Sequence, residues 1–387
     1  MSAVILDGVR TPFGKWKGSL SPFNGTDLGT IALKELQSRT PEAKEADGVI
    51  LAQVIQAGQG QNPARKVASN AGVSLSTPAI TLNNVCLAGI STVIDAVRRI
   101  HFNEGELFIT GGFDSMTNAP HLAPIRQELS FGAVEFYDSL NDGLRCSINE
   151  QSMGLLSDNK NTDLGITREQ QDAYAVLSQT RAEDARKKGR LQTEIIPVDT
   201  GKFTLEEDEG IRPNSSVDKL AKLRPAFQID GTLTAGNASQ MSDGASLGII
   251  ASEEKAQELR KTPLARILGW SEIAGPDTSL HLKPAQAIKD VLAKNSLSID
   301  DIDLFEINEA FASVVIASCN ELGINFDKVN VNGGAIAIGH PLGGTGFRLI
   351  LTLAHELKRR GGGKGIATLC GGGGQGTAIL IEVPERW

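Results

Sequence analysis

The order of secondary-structure signals in this chain occurs twice. Short apolar runs at Val4–Asp7, Gly48–Leu51, Ala79–Asn83 and Leu107–Thr110 read as strands, and Asp27–Gln37, Ala64–Ala71 and Ile90–Ile100 between them read as helices. The succession returns with strands at Ala265–Leu268, Asp303–Ile307, Lys328–Asn332 and Gly365–Leu369 and helices at Ala285–Asn295, Ala312–Leu322 and Thr345–Arg359. Matching elements lie roughly 250 residues apart, an offset regular enough to indicate a two-copy architecture. Local sequence agrees: Arg98-Arg99 and Arg359-Arg360 close corresponding helices, and Gly111-Gly112 and Gly371-Gly372 follow corresponding last strands. Apolar strands alternating with helices predict α/β layers, with the halves packed about a pseudo-twofold axis.

A chain of 387 residues exceeds what one core usually organises, so two or three packed units are expected. From about Asn118 to about Gln240 the pattern changes to polar turns, loops and one strong helix, Arg168–Lys188, with Thr167 as its N-cap. A loop-rich insertion on a rigid scaffold is a common place for a binding surface. The basic residues at Arg212 and from Lys219 to Arg224 suit either phosphates or a solvated helix face. A net charge of −8 argues against a general nucleic-acid binder. The four cysteines fit a reducing compartment better than a disulfide framework. No apolar run is long enough to span a bilayer, and Met1-Ser2-Ala3-Val4-Ile5 enters a predicted strand with no secretory leader ahead of it. A soluble cytoplasmic protein is the expectation.

Four separated stretches each place one reactive side chain among small residues. They are Asn83-Asn84-Val85-Cys86-Leu87-Ala88-Gly89, Asn308-Glu309-Ala310-Phe311-Ala312, Gly339-His340-Pro341-Leu342-Gly343-Gly344 and Cys370-Gly371-Gly372-Gly373-Gly374-Gln375-Gly376. Two cysteines, a histidine and an asparagine could perform nucleophilic acyl transfer and carbanion chemistry in one pocket. The 42 glycines are in keeping with a pocket lined by main chain. A free thiol is little ionised at neutral pH, and Cys86 stands just before a predicted helix whose unpaired N–H groups and dipole favour thiolate. Taken alone, Cys86 could be a packed inert thiol, His340 a structural or solvated histidine, and Asn308 a simple cap for the following helix.

With these motifs, and with Val9-Arg10-Thr11-Pro12-Phe13-Gly14, Gly111–Pro120, Asp208–Arg212 and Thr234–Ser239, the chain resembles the thiolases over almost its whole length. The resemblance implies duplicated αβαβαββ halves in a layered α/β/α/β/α arrangement. The N-terminal half would comprise residues 1–117 plus about 241–263, the loop domain 118–240 and the C-terminal half 264–387. It implies Cys86 as the nucleophile and His340 as the group that takes its proton and then holds the thioester oxygen. Asn308 would hold a water in that oxyanion hole, and Cys370 would move the α-carbon proton. The N–H groups of Cys86 and Gly372 would form a second oxyanion hole, with glycine at 372 letting the main chain come close. Met153, Arg212, Ser216, Ala238, Ser239, Ala310 and Phe311 are the implied substrate contacts. Coenzyme A and acyl-CoA are the implied substrates, with no permanently bound cofactor and no metal. A homodimer or homotetramer is implied, and a place in a fatty-acid oxidation complex is open.

Two departures bear on substrate choice. Ala88 stands where the family usually has Ser, and Leu155-Leu156-Ser157-Asp158 follows Met153-Gly154 where a small residue, Ala and Glu are usual. Ser152, where short-chain synthetic members tend to have histidine, favours the degradative direction. A ketoacyl synthase working on acyl carrier protein has no need of Cys370, and a non-catalytic acyl-CoA-binding subunit has no need of any of the four reactive residues.

Overall fold

The computed structural model describes residues 2–126 and 132–386; positions 127–131 of the expected loop domain lie outside them. The main strands are β1 (Ala3–Arg10), β2 (Gly48–Ala52), β3 (Ala79–Leu82), β4 (Leu107–Ser115), β5 (Ser242–Ser252), β6 (Ala265–Ala274), β7 (Leu304–Ile307), β8 (Gly363–Gly371) and β9 (Gln375–Val383). Their order is β3-β2-β4-β5-β1 in one half and β6-β9-β8-β7 in the other, which is the same sequence of neighbours mirrored about the β1–β6 seam. At that seam only Ala3, Val4 and Ile5 pair with Ile267, Arg266 and Ala265. Each half has its parallel pairing at the outer edge, β2 with both β3 and β4 and β7 with β8, and antiparallel pairing toward the seam.

The mirror order has one gap. Where the second half should have a strand at Lys328–Asn332, there is a short turn at Phe326–Lys328, and Val329 alone bridges to Phe305. Asn330 is the cause. Its backbone is left-handed (φ 48°), and its side-chain amide takes the place of a ladder, donating to the Ile307 carbonyl at 2.7 Å and accepting from the Ile307 N–H at 2.8 Å.

Helices α1 (Gly25–Arg39) and α2 (Pro63–Asn70) cover the outer face of the first half, in an apolar cluster that includes Leu28, Leu33 and Val67. Helices α6 (Lys283–Lys294) and α7 (Ala312–Leu322) cover the second, with Ile288, Val291 and Val315 buried. Between the halves lie α3 (Ala88–His101) and α8 (Leu342–Arg359), in a core joined by residues of both. Ile90, Ile94 and Val97 meet Phe347, Ile350 and Leu351 there. Each such fully buried side chain contributes on the order of 1.5–3 kcal/mol. The five layers follow from this: outer helices, half-sheet, central helix pair, half-sheet, outer helices.

In the intervening segment α5 (Arg168–Lys187) starts with a capping box between Thr167 and Gln170. A further helix, α4 (Met153–Asp163), forms where sequence periodicity predicts loop. Its Gly, Asn, Ser and Asp content and lack of an apolar stripe hide it. It is held by burial of Gly154, Ser157, Asp158 and Asn161 and by the Ser152 cap on Leu155 N–H. Among the described residues no helix is long and apolar enough to cross a membrane.

Candidate active site

The turn before α3 aims Cys86. Asn83 Oδ1 accepts the Val85 N–H at 2.9 Å, and Val85 takes a left-handed backbone (φ 50°). For a β-branched residue that conformation is strained by about 1–3 kcal/mol. Asn84 Nδ2 then donates to Ser91 Oγ at 3.0 Å, tying the turn to the helix it precedes. Helix α3 has no side-chain N-cap, and its leading N–H groups at Leu87 and Ala88 donate instead to the Asn84 and Val85 carbonyls of the Cys86 turn, each at 3.1 Å.

His340 leads into α8 in the same way. The Thr345 hydroxyl donates to the Pro341 carbonyl at 2.8 Å, so the hydroxyl oxygen can only accept from His340 Nδ1, at 2.6 Å. The proton therefore sits on Nδ1, and Nε2 presents a lone pair. Asn308 Nδ2 donates to that nitrogen at 3.3 Å. Helix α7 takes Phe311 as its N-cap residue with no side-chain cap, so capping is not what Asn308 does. Its fully buried Oδ1 has no hydrogen-bond partner among the described residues.

Cys370 lies near the end of β8, paired with Gly376 across the β8–β9 hairpin, and packs in an apolar cluster with Leu280, Phe311 and Val314. The hairpin turn needs glycine at Gly373 and Gly374, whose φ values are 80° and 74°. A Cβ at Gly372 would meet Val85 and the Met153 sulfur at 3.6 and 3.8 Å and would project into the cavity that Gly372 lines.

Cys86, His340, Cys370 and Gly372 line one cavity of about 1220 Å³, together with Met153, Ser239, Ala310 and Phe311. Asn308 stands behind His340, and Ala238 packs behind the wall in bridge register with Phe311. Arg212 and Ser216 are not on the lining. Arg212 is exposed, with its guanidinium 3.5 Å from the Ala235 carbonyl, and Ser216 caps the turn at Val217–Leu220. Cys146, unremarkable in sequence, lies on the cavity wall with its Sγ 3.4 Å from Asn149 Oδ1. Asp158, in the departing segment, accepts from the N–H groups of Thr232 and Leu233 at 2.7 and 3.1 Å, and so anchors Leu233 beside Cys370.

The thiolase N-terminal domain matches residues 3–254, and the thiolase C-terminal domain residues 261–383. The chain belongs to the thiolase family. It is 46% identical to a probable acetyl-CoA acetyltransferase of Mycobacterium tuberculosis, over 98% of this chain and 99% of that one. The structure of human mitochondrial 3-ketoacyl-CoA thiolase in complex with CoA superposes with a TM-score of 0.95 at 38% identity, covering 98% of both chains. The acetyl-CoA acetyltransferase of Bacillus anthracis superposes with a TM-score of 0.94, also at 38% identity and 98% coverage of each. As a thiolase this protein is an enzyme, an acyltransferase.

The site of this thiolase is electrically neutral at rest. Cys86 packs against Ile55 and Leu342, and burial pushes its thiol up to about 12, with the nearby Asp114 carboxylate adding to the rise. Burial, aided by the positive charge of Arg348, brings His340 down to about 3. Cys370 is pushed well up by burial and, next, by its closeness to Cys86. Burial thus favours the neutral Cys86 thiol at rest, against the backbone N–H that pulls the other way.

Sequence reasoning passes over Thr345 and Glu309. Glu309 is buried, has no cationic partner among the described residues, and accepts from Tyr174, Ser178, Asn330 and the Ile336 N–H, at 2.9, 2.7, 3.2 and 3.0 Å, bracing the segments on either side of Asn308 and His340. Neither residue carries a spacing signal, since every partner is distant in sequence except Pro341 and His340.

Proposed function

We propose that this thiolase works by a ping-pong mechanism through an acyl-Cys86 intermediate. The observation that carries the reading is the hydrogen-bonded chain from His340 through Thr345 to Pro341, which keeps the lone pair on Nε2, so that Nε2 can exchange its 3.3 Å contact with Asn308 for a proton inside the cavity that Cys86 lines. A neutral thiol beside a neutral imidazole avoids a buried ion pair before substrate arrives. The proton passes from Sγ to Nε2 as sulfur attacks the carbonyl, and the N–H groups of Cys86 and Gly372 meet the developing oxyanion.

In thiolytic cleavage Cys86 attacks the keto carbon of a 3-ketoacyl-CoA and the bond to the α-carbon breaks. The departing acetyl-CoA carbanion takes a proton from Cys370, while His340 and a water held by Asn308 meet the thioester oxygen on which its charge rests. Coenzyme A then removes the acyl group from Cys86; its thiol proton passes to the Cys370 thiolate, and Cys86 recovers its own proton from His340. Condensation is the reverse: Cys370, as thiolate, takes the α-proton of acetyl-CoA, and the carbanion attacks acyl-Cys86. Met153, Ser239, Ala310 and Phe311 would face the acyl and pantetheine portions, backed by Ala238, with Arg212 and Ser216 farther out toward the phosphates. Ser152 favours cleavage; the acetyl-CoA acetyltransferase relatives favour a short acyl group, so acetoacetyl-CoA is the first substrate to try. The reading includes residues 118–240 as the loop domain, a homodimer or homotetramer, and a cytoplasmic setting.

The test is intact mass after brief exposure to acetyl-CoA. An acyl adduct on the wild-type protein and none on Cys86→Ala is expected, and an adduct that persists in the variant removes Cys86 from the mechanism. Turnover of a 3-ketoacyl-CoA panel with free coenzyme A would separate the thiolase cycle from synthase-type condensation on a carrier protein.

A further inference from the structure

We propose that Asp114, on β4 of the first half, is a positioning residue for His340, because its buried carboxylate caps the helix of the second half that begins beside the imidazole. Helix α8 starts at Leu342 with Pro341 in the N-cap position, and a proline side chain cannot accept a hydrogen bond from the helix N–H groups. Asp114 supplies that acceptor from across the halves, taking the Gly343 N–H on Oδ2 at 2.7 Å. Its Oδ1 accepts the Ile55 N–H at 2.9 Å and the Val54 N–H at 3.2 Å, in the segment that leaves β2 and forms the cavity wall against Cys86. One fully buried side chain thus ties together the turn that carries the base and the wall that faces the nucleophile.

The chemistry suits a carboxylate. Among the described residues Asp114 has no cationic partner; three backbone N–H groups and the positive end of α8 answer its charge. Burial nevertheless pushes Asp114 up to about 7. A group that only filled space here would be apolar, since an uncompensated buried carboxyl is costly. The backbones it joins are already in contact: a Cβ at Gly343 would fall 2.8 Å from the Ala52 carbonyl and 2.9 Å from that of Phe113. With so little slack, an acceptor replaced by a donor must move the first turn of α8, and the Thr345 bond moves His340 with it.

The proposal rests on the reading of His340 as the base, so the experiment includes both residues. Asp114→Asn keeps the shape and one acceptor but can turn an N–H₂ group against the Gly343 N–H. Its Cys86 acylation rate and kcat should fall by about 10- to 100-fold, as expected for a misplacement of the order of 1 Å, with KM for acetyl-CoA little changed. Asp114→Glu, which keeps the carboxylate, should lie between Asn and wild type in kcat at the same KM. Wild-type kcat in Asp114→Asn with only a lowered Tm overturns the proposal. Should Asp114→Asn not fold, Asp114→Glu decides: reduced kcat at unchanged KM supports it, and a wild-type rate with lowered Tm overturns it. His340→Ala separates the two claims. Normal acylation there sinks the base assignment, whereas its loss, alongside an unaffected Asp114→Asn, sinks the Asp114 assignment alone.

Discussion

Gly89 and Gly346 touch backbone to backbone where α3 and α8 cross. A Cβ at Gly346 would lie 2.4 Å from the Ile90 nitrogen, and one at Gly89 would lie 2.9 Å from both the Gly343 carbonyl oxygen and the Gly346 Cα. Because Cys86 precedes one helix and His340 the other, this crossing brings the two reactive groups, from opposite halves, to one cavity.

Gly346→Ala should therefore destabilise the protein. Alanine's better helix propensity is worth at most about 1 kcal/mol, while overpacking against backbone that cannot rotate away costs about 1–3 kcal/mol. A lower denaturation midpoint and slower acylation of Cys86 are expected. A more stable Gly346→Ala would show that the helices have room to separate.

The neutral resting site predicts the pH dependence of Cys86 alkylation. With the thiol raised to about 12, the thiolate fraction grows with pH right through the range of an ordinary cysteine. The rate of iodoacetamide labelling, read by peptide mass spectrometry at Cys86, should keep climbing from about pH 7 to about pH 10. Because His340 is held near 3, its protonation should contribute no loss of rate until the solution is strongly acidic. A labelling plateau below about pH 8 would mean that the helix terminus does win over burial.

Cys370→Ser should divide the half-reactions. Acylation of Cys86 needs only the nucleophile, His340 and the oxyanion donors, so the variant should still take up an acyl group from acetyl-CoA. Thiolysis and condensation should fall by about 10²-fold or more, since both need a proton moved at the α-carbon. Retained thiolysis with unchanged circular dichroism would make Cys370 a packing residue.

Gly372→Ala tests the oxyanion loop without straining it. The new methyl group would meet ordinary contacts with Val85 and Met153, so the denaturation midpoint should stay within about 0.5 kcal/mol of wild type. It would stand in the cavity beside the N–H meant for the oxyanion, and kcat/KM should drop by about 10-fold or more. An active Gly372→Ala would remove that N–H from the mechanism.

Most of the fold was legible because it is written in local periodicity. Apolar runs and amphipathic spacing place β2, α7 and the cores of α3 and α8 within a few residues, and the repeat of their order announces two halves. Where periodicity was weak or misleading, reading failed: α4 has no apolar stripe, and the run at Lys328–Asn332 looks like a strand until the Asn330 side chain takes the backbone's place at Ile307.

For the site, the sequence by itself determined which reactive groups exist and which turns and helix starts carry them. Cys86, His340 and Cys370 stand out because each follows or precedes an element boundary among small residues. Only the tertiary structure decided that they share a cavity, since that depends on the contact of Gly89 with Gly346, far apart along the chain. It also decided the protonation: the Nδ1 proton of His340 is set by the Thr345 hydroxyl, and the raised Cys86 thiol by burial between the halves. Hydrogen-bond direction and desolvation are properties of the surroundings, and no spacing of residues encodes them.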